Sequence, residues 1–345
     1  MDFGAVRARA QSPPGLRLGP GAEFDVIRAM VGDDTELPAD VIVGPGDDCA
    51  VLESGDSPWA VTVDMSIEGV HFRRAWLEPY EIGWRSAVAA LSDLAAVAAE
   101  PVALLVSLAL SREDARAGTG PALQKGIAEA GASVGARIVG GDIACSPGPL
   151  TLDLVAIGRV RRPVLRDGGY PADELWVTGT LGGAGAAVAA WESGCKPSAA
   201  HRQAFARPEP RVKEAQWLAG TGRVRALIDI SDGLAGDAGH IAAASGCRAL
   251  LSEALVPVAE GVEGVAGGVA EAPLFAVSAG EDYELCLAAE AGALEPLREE
   301  FQARFQVPLT RVGRLDKGEG VVLEREGIGT ISLAGGFSHF EGERG

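Results

Sequence analysis

The residues in this chain whose types and spacing could do chemistry are aspartates delivered by apolar runs. Val41-Ile42-Val43 leads into Gly44-Pro45-Gly46-Asp47-Asp48-Cys49-Ala50. Ala60-Val61-Thr62-Val63 ends in Asp64, and Ala136-Arg137-Ile138-Val139 ends in Gly140-Gly141-Asp142. Ala226-Leu227-Ile228 ends in Asp229-Ile230-Ser231-Asp232-Gly233, and Phe275-Ala276-Val277-Ser278 leads into Ala279-Gly280-Glu281-Asp282-Tyr283. Adjacent carboxylates repel unless a cation sits between them, and ligands of α/β sheets gather outside the carboxyl ends of strands. A single Gly-Asp-Asp turn is more often a solvated loop. Five acidic turns predict a metal-filled pocket. The donors are hard oxygens with no soft ligand cluster beside them, which points to several Mg²⁺ ions holding a polyphosphate. No covalent nucleophile is expected, because none of the four histidines sits in a G-x-S-x-G or H-E-x-x-H setting.

Charge narrows the partners. With 48 acidic against 30 basic residues, the chain carries −18, whereas phosphate backbones demand a basic face, so nucleic acid is excluded as the main partner. An anionic substrate would have to be met through cations. The five cysteines form no C-x-x-C pair and suit a reducing cytoplasm. No apolar run reaches membrane-span length. The first 21 residues, with arginine, proline and glycine but no apolar core, are expected to be a disordered tail rather than a signal peptide.

These acids need elements to hold them. A short helix is expected over Glu23 to Val31, then two strands and a mixed loop from Met65 to Phe72. A helix is expected from Pro79 to about Ala99, with Pro79 in its first turn and Pro101 past its end. It carries Asp93, which faces either water or the same cations as Asp47 and Asp64. A strand over Val102 to Leu110, a helix over Glu113 to Gly135, a strand ending at Asp142 and a strand over Leu150 to Val160 follow. The arginine-, proline- and glycine-rich Arg161 to Asp173 marks the domain boundary. Beyond it come a strand over Glu174 to Thr178 and the turn Gly179-Thr180-Leu181-Gly182-Gly183-Ala184-Gly185. That turn opens a helix to about Trp191 and could hold phosphate on its N–H groups, although it matches neither G-x-G-x-x-G nor a P-loop. Helices over Pro210 to Ala219 and Gly233 to Ala244 are expected next. A strand over Glu284 to Ala288, a helix from Leu294 to about Phe305, and a closing hairpin of Val312–Leu315 with Gly320–Leu323 complete the chain.

Six motifs, in order and consistently spaced, carry a resemblance. They are Gly44-Pro45-Gly46-Asp47-Asp48, Asp64-Met65-Ser66-Ile67-Glu68-Gly69-Val70-His71-Phe72, Leu91-Ser92-Asp93-Leu94-Ala95, Gly140-Gly141-Asp142, Asp229-Ile230-Ser231-Asp232-Gly233-Leu234 and Gly280-Glu281-Asp282-Tyr283-Glu284-Leu285. Together with the closing Phe337-Ser338-His339-Phe340, they resemble the thiamine-monophosphate kinase family over roughly Glu23 to Phe340. That family lies in the superfamily of aminoimidazole ribonucleotide synthetase and selenophosphate synthetase.

The resemblance implies an α+β (mixed α/β) fold of two domains. The N-terminal domain would hold a sheet that pairs into a dimeric β-barrel, and the C-terminal one an α/β sandwich. Their expected limits are 22–162 and 163–345, after the tail at 1–21. It implies ATP-dependent phosphorylation of thiamine phosphate to thiamine diphosphate by direct in-line transfer in a homodimer. Asp47, Thr62, the backbone at Val63, Asp64, Asp93, Asp142, Asp229 and Asp232 would hold the Mg²⁺ cluster. Gly141, Asp142, Arg166 and Ser231 would meet ATP; His71, Glu281, Asp282 and Phe337 would meet the thiamine moiety. Pro45, Ala144-Cys145-Ser146 and Ala279 depart from the family's usual residues, and no adenine-stacking aromatic is evident near Leu123 to Lys125. The alternatives are another ATP-dependent synthetase of the superfamily and a non-catalytic nucleotide- and metal-binding relative.

Overall fold

The computed structural model describes residues 38–55 and 57–333. The expected tail, the expected helix from Glu23 to Val31 and Phe337 lie outside the described residues. The chain forms two sheets with helices packed on them. The first has the order β1 (Val41–Val43), β2 (Ala50–Leu52), β3 (Trp59–Ile67), β6 (Thr151–Arg159), β4 (Glu100–Leu110), β5 (Arg137–Cys145). Its neighbours are antiparallel except β4 and β5. The second has the order β13 (Gly329–Leu333), β12 (Val321–Arg325), β9 (Arg248–Ser252), β11 (Leu309–Asp316), β7 (Glu174–Thr178), β10 (Glu284–Ala289), β8 (Val224–Ile230). Only β12 and β9 pair in parallel there. Among the described residues neither sheet closes into a barrel.

Four expectations change. Asp64 and Asp142 do not end strands but sit inside β3 and β5. Their partners β6 and β4 are at least as long and keep the ladder going through Ile67 and Cys145. The helix expected over Glu113 to Gly135 is two, Arg112–Ala117 and Thr119–Ser133, because Gly118 turns left-handed at φ 80° and caps the first. The apolar run around Phe275 is a helix, Ala272–Ser278: Pro273 fits a first helical turn and has no donor for a ladder. The closing hairpin is β12 with β13, not β11 with β12. β11 is taken on both edges by β7 and β9.

The long helix Pro79–Ala96 joins the two halves. It starts with proline in its first turn and a reciprocal Glu78–Glu81 cap, and it stops where Ala98 goes left-handed at φ 56°. Its alanines let neighbours come close. At its crossing with Thr119–Ser133, a Cβ on Gly83 would lie 2.1 Å from the Leu123 carbonyl oxygen, and one on Gly126 2.0 Å from that of Tyr80. Toward the second half, Trp84 Nε1 donates to the Pro208 carbonyl at 2.8 Å and Arg202 forks onto Glu81 at 2.7 Å through both nitrogens. Gln216 Nε2 returns to the Ala99 carbonyl at 3.0 Å. No helix among the described residues is long and apolar enough to cross a membrane.

Candidate active site

Three carboxylates from three distant stretches meet between the sheets. Asp48 comes from the turn between β1 and β2, Asp93 from the last turns of the long helix, and Asp229 from the end of β8. One oxygen of each lies within 4.8 Å of the others. The Asp48 side chain is 2% exposed, and it takes a forked bond from Arg166, Nε to Oδ2 at 2.9 Å and Nη2 to Oδ1 at 2.6 Å. Arg166 opens the short 3-10 turn Arg166–Gly168, and its backbone N donates to Asp47 Oδ2 at 3.1 Å. Ser245 Oγ fixes that turn, donating to the Arg166 carbonyl at 3.1 Å and accepting from Gly169 N at 3.0 Å. Thr62 Oγ1 donates to Asp93 Oδ2 at 2.6 Å.

The electrostatic state follows from crowding. Burial, then the Asp48 charge, pushes Asp47 up to about 7. The same two causes raise Asp229 to about 7. Asp93 is driven well above the carboxylate range by burial and by Asp229. Such a set either holds protons or gathers cations. The donor set fits Mg²⁺: the convergent atoms are all carboxylate oxygens, the chemistry that ion prefers.

A second group, with Asp237 and His240 buried and Asp232 half-buried, lies beside it. Asp232, Asp237 and His240 present ligand atoms within 4.8 Å of one another. Asp237 Oδ2 accepts from Asp232 N at 3.2 Å. Burial and then the Arg166 charge depress His240 to about 3, so its ring is neutral.

The remaining expected site residues divide. Asp64 shares the inward face of β3 with Thr62 and Ser66, while Val63 points outward and is 62% exposed. Burial and then the Glu281 charge raise Asp64 to about 6. Asp142 is not brought to the carboxylate triad. It is exposed on edge strand β5, and its neighbour Gly141 is in register with Val106, Leu154 and Asp64 across β4 and β6. Three strand spacings therefore separate β5 from β3, about 14 Å. Gly141 is a packing glycine, since a Cβ there would lie 1.9 Å from the Val106 carbonyl oxygen. His71 Nδ1 accepts from Ile67 N at 3.1 Å, which places the proton of a neutral ring on Nε2. Ser231 is half-buried, and its carbonyl accepts from Glu281 N at 2.7 Å.

The glycine-rich turn at Gly179–Gly185 is not the phosphate cradle its composition allows. Asp282 occupies it: Oδ2 accepts from Gly182 N at 2.8 Å and Oδ1 from Ala184 N at 3.4 Å, capping the helix Gly183–Glu192. Burial outweighs these N–H bonds and raises Asp282 to about 8. Glu281 bonds instead with Arg85 and Tyr283.

Sequence reasoning missed Asp48, Asp237, His240 and Arg85. Asp48 carried a signal, as the second acid of a pair whose members must point apart. Asp237 and His240, one helical turn apart on Leu234–Ser245, carried the signal of i, i+3 spacing.

The AIR synthase related protein family matches twice, its N-terminal domain at residues 46–160 and its C-terminal domain at 171–325. The thiamine-monophosphate kinase of Rhodopirellula baltica is 36% identical over 304 residues, 85% of this chain and 89% of the relative. That of Mycobacterium tuberculosis is 35% identical over 80% of this chain and 82% of its own length. Among solved structures, the thiamine-monophosphate kinase of Stenotrophomonas maltophilia superposes with a TM-score of 0.71 at 32% identity, covering 89% of this chain and 97% of that one. AaThiL complexed with AMPPCP and TMP superposes with a TM-score of 0.77 at 26% identity, covering 92% and 96%. The chain belongs to the thiamine-monophosphate kinase family.

Proposed function

We propose that the protein is an ATP-dependent kinase that phosphorylates thiamine phosphate to thiamine diphosphate. The observation that carries this reading is the meeting of Asp48, Asp93 and Asp229 beside Arg166. Hard oxygens and a forked cation from both halves suit two phosphorylated substrates. In the reaction an oxygen of the acceptor phosphate attacks the γ-phosphorus of ATP in line. The bond from that phosphorus to the β,γ-bridging oxygen breaks and ADP leaves. Bound Mg²⁺ would supply the charge neutralisation that lets two polyanions approach.

The chain's own residues prepare this encounter. Asp48, Asp93 and Asp229 would hold Mg²⁺, with Asp47, Thr62, the backbone at Val63, Asp64, Asp142 and Asp232 as the further expected ligands. Thr62 orients the Asp93 carboxylate through its hydroxyl. The fork onto Asp48 uses Nε and Nη2 of Arg166, leaving Nη1 for a phosphate oxygen of ATP. Ser231, Gly141 and Asp142 would complete the nucleotide contacts. His71 through Nε2, Glu281 and Phe337 would meet the thiamine moiety. Of the adjacent acids, Glu281 is better placed than Asp282, whose oxygens already cap a helix. The domain limits 22–162 and 163–345 and a cytoplasmic location belong to the same reading, the latter supported by five free cysteines.

The expected test result is ADP release that requires thiamine phosphate together with ATP and Mg²⁺. Release without thiamine phosphate, or only with an aminoimidazole precursor, would overturn the assignment.

We further infer a homodimer built on the first sheet. Its face opposite the long helix exposes Val63 and Met65 at 62% and 50%, an apolar surface suited to a second copy. Such pairing would bring an Asp142 toward the triad of the other subunit. Sedimentation at micromolar concentration is expected to give twice the chain mass of 35.3 kDa; a monomer there would remove the inference.

A further inference from the structure

We propose that Arg85 is a positioning residue for the acceptor substrate, clamping Glu281 from across the boundary between the two halves. The inference rests on the kinase reading above and names a residue which that reading does not require.

Arg85 lies two turns before Asp93 on the long helix and is 3% exposed. A buried arginine needs partners for its charge and its donors. Nη1 donates to the Phe205 carbonyl at 2.9 Å, and the guanidinium stacks on the Phe205 ring at 3.8 Å from its centroid. Nη2 forms an ion pair with Glu281 Oε2. Tyr283 donates its hydroxyl to that same oxygen at 2.9 Å, and its ring stands 5.9 Å from the guanidinium. Both donors reach Oε2, so Oε1 is the oxygen left to face a substrate.

The turn that carries Glu281 needs such a clamp. Glu281 and Tyr283 both take left-handed φ values, 74° and 51°, which side chains other than glycine rarely adopt. They are held by backbone bonds from Glu281 N to the Ser231 carbonyl at 2.7 Å and from Tyr283 N to the Ile230 carbonyl at 2.8 Å. Gly280 packs so closely that a Cβ would lie 2.4 Å from the Ser231 carbonyl oxygen. The turn also brings one acid toward another: the Glu281 charge acts on Asp64, and Arg85 offsets it. Without that cation the two carboxylates repel, and the strained turn loses the contact that aims Glu281. With it, a fixed carboxylate faces the cationic thiamine moiety while Asp64 stays with the cation cluster. Arg85 is then felt in acceptor binding and not in ATP binding.

The test uses the full chain carrying Arg85→Met, Arg85→Lys and Glu281→Gln, together with the double variant of Arg85→Met and Glu281→Gln. Arg85→Met is expected to raise KM for thiamine phosphate about tenfold while KM for ATP stays within about twofold. Arg85→Lys, which keeps the charge, is expected to recover most of that loss. The double variant is expected to be little worse than either single one, because both remove the same contact. Amide exchange at Glu281 and Tyr283 is expected to quicken in Arg85→Met and not in Arg85→Lys. Equal changes in both KM values, additive losses in the double variant, or unaltered exchange would each overturn the proposal. If Arg85→Met does not fold, Arg85→Lys and Glu281→Gln carry the test; unchanged acceptor KM in both overturns it. Absence of thiamine-phosphate turnover in the unmodified protein would remove the kinase reading instead, and the exchange comparison would still decide the clamp.

Discussion

Asp93→Asn is expected to lower kcat by about a thousandfold or more without unfolding the protein, because on the proposed reading it removes a charge that holds the cation facing the transferring phosphoryl group. The substitution keeps the volume and leaves an amide oxygen to accept the Thr62 hydroxyl bond. It also relieves a crowd: Asp93 is driven well above the carboxylate range by burial and by Asp229, so an uncharged residue there costs less than the carboxylate. In chelator, the thermal midpoint of the variant is therefore expected to equal or exceed that of the parent. Steady-state rates at saturating ATP, thiamine phosphate and millimolar Mg²⁺, with a melting curve beside them, read both halves of the prediction. A near-normal rate would sink the triad as the site of transfer.

The same crowding sets a pH response opposite to that of most proteins. Asp47 and Asp229 are raised to about 7 and Asp64 to about 6 in the folded chain, from an ordinary value of 3.8. Each binds a proton in the folded state that the unfolded chain has already released. Their contribution to stability is complete below the unfolded value and disappears as pH climbs through about 6 to 7. In chelator the thermal midpoint is thus expected to fall between about pH 5 and about pH 8. His240 opposes this, since its depressed value of about 3 favours folding as pH rises through its unfolded value. It is one group against several. The Arg74–Asp114 pair, which holds Asp114 far below its usual range, acts at lower pH. Millimolar Mg²⁺ is expected to raise the midpoint most at the alkaline end and flatten the slope. A midpoint that rises with pH in chelator would show that these acids are not held together in solution.

Asp93 and Asp229 were legible in the sequence as candidate ligands; their partners were not. Asp48 and Asp47 are neighbours, and what separates their roles is Arg166, whose side chain forks onto one while its backbone N bonds the other. Nothing local encodes which of the two turns inward. Asp93 read as either a wet helix charge or a ligand, and the choice depends on Asp229 arriving from another sheet. The turn at Gly179–Gly185 has the glycines of an anion cradle, yet Asp282 already fills its N–H groups from about a hundred residues on. Local composition described the geometry correctly and the occupant wrongly. Asp64 and Asp142 read as strand ends because the apolar residues stop there, whereas the ladder continues as long as its partner strand does. The long helix was legible for the opposite reason: hydrophobic periodicity and a proline start are local signals.

Arg85 and Asp93 ride on one uninterrupted rod, about 12 Å apart along its axis, wedged by Gly83 against Leu123 and by Gly126 against Tyr80. On the proposed reading the rod is a gauge block between the acceptor side and the cation side. Adding or deleting one residue between those two charges would swing the later one by about 100° and break the spacing. A change of chain length before Pro79 or after Ala96 leaves the interval between the two charges intact, whereas one inside it does not.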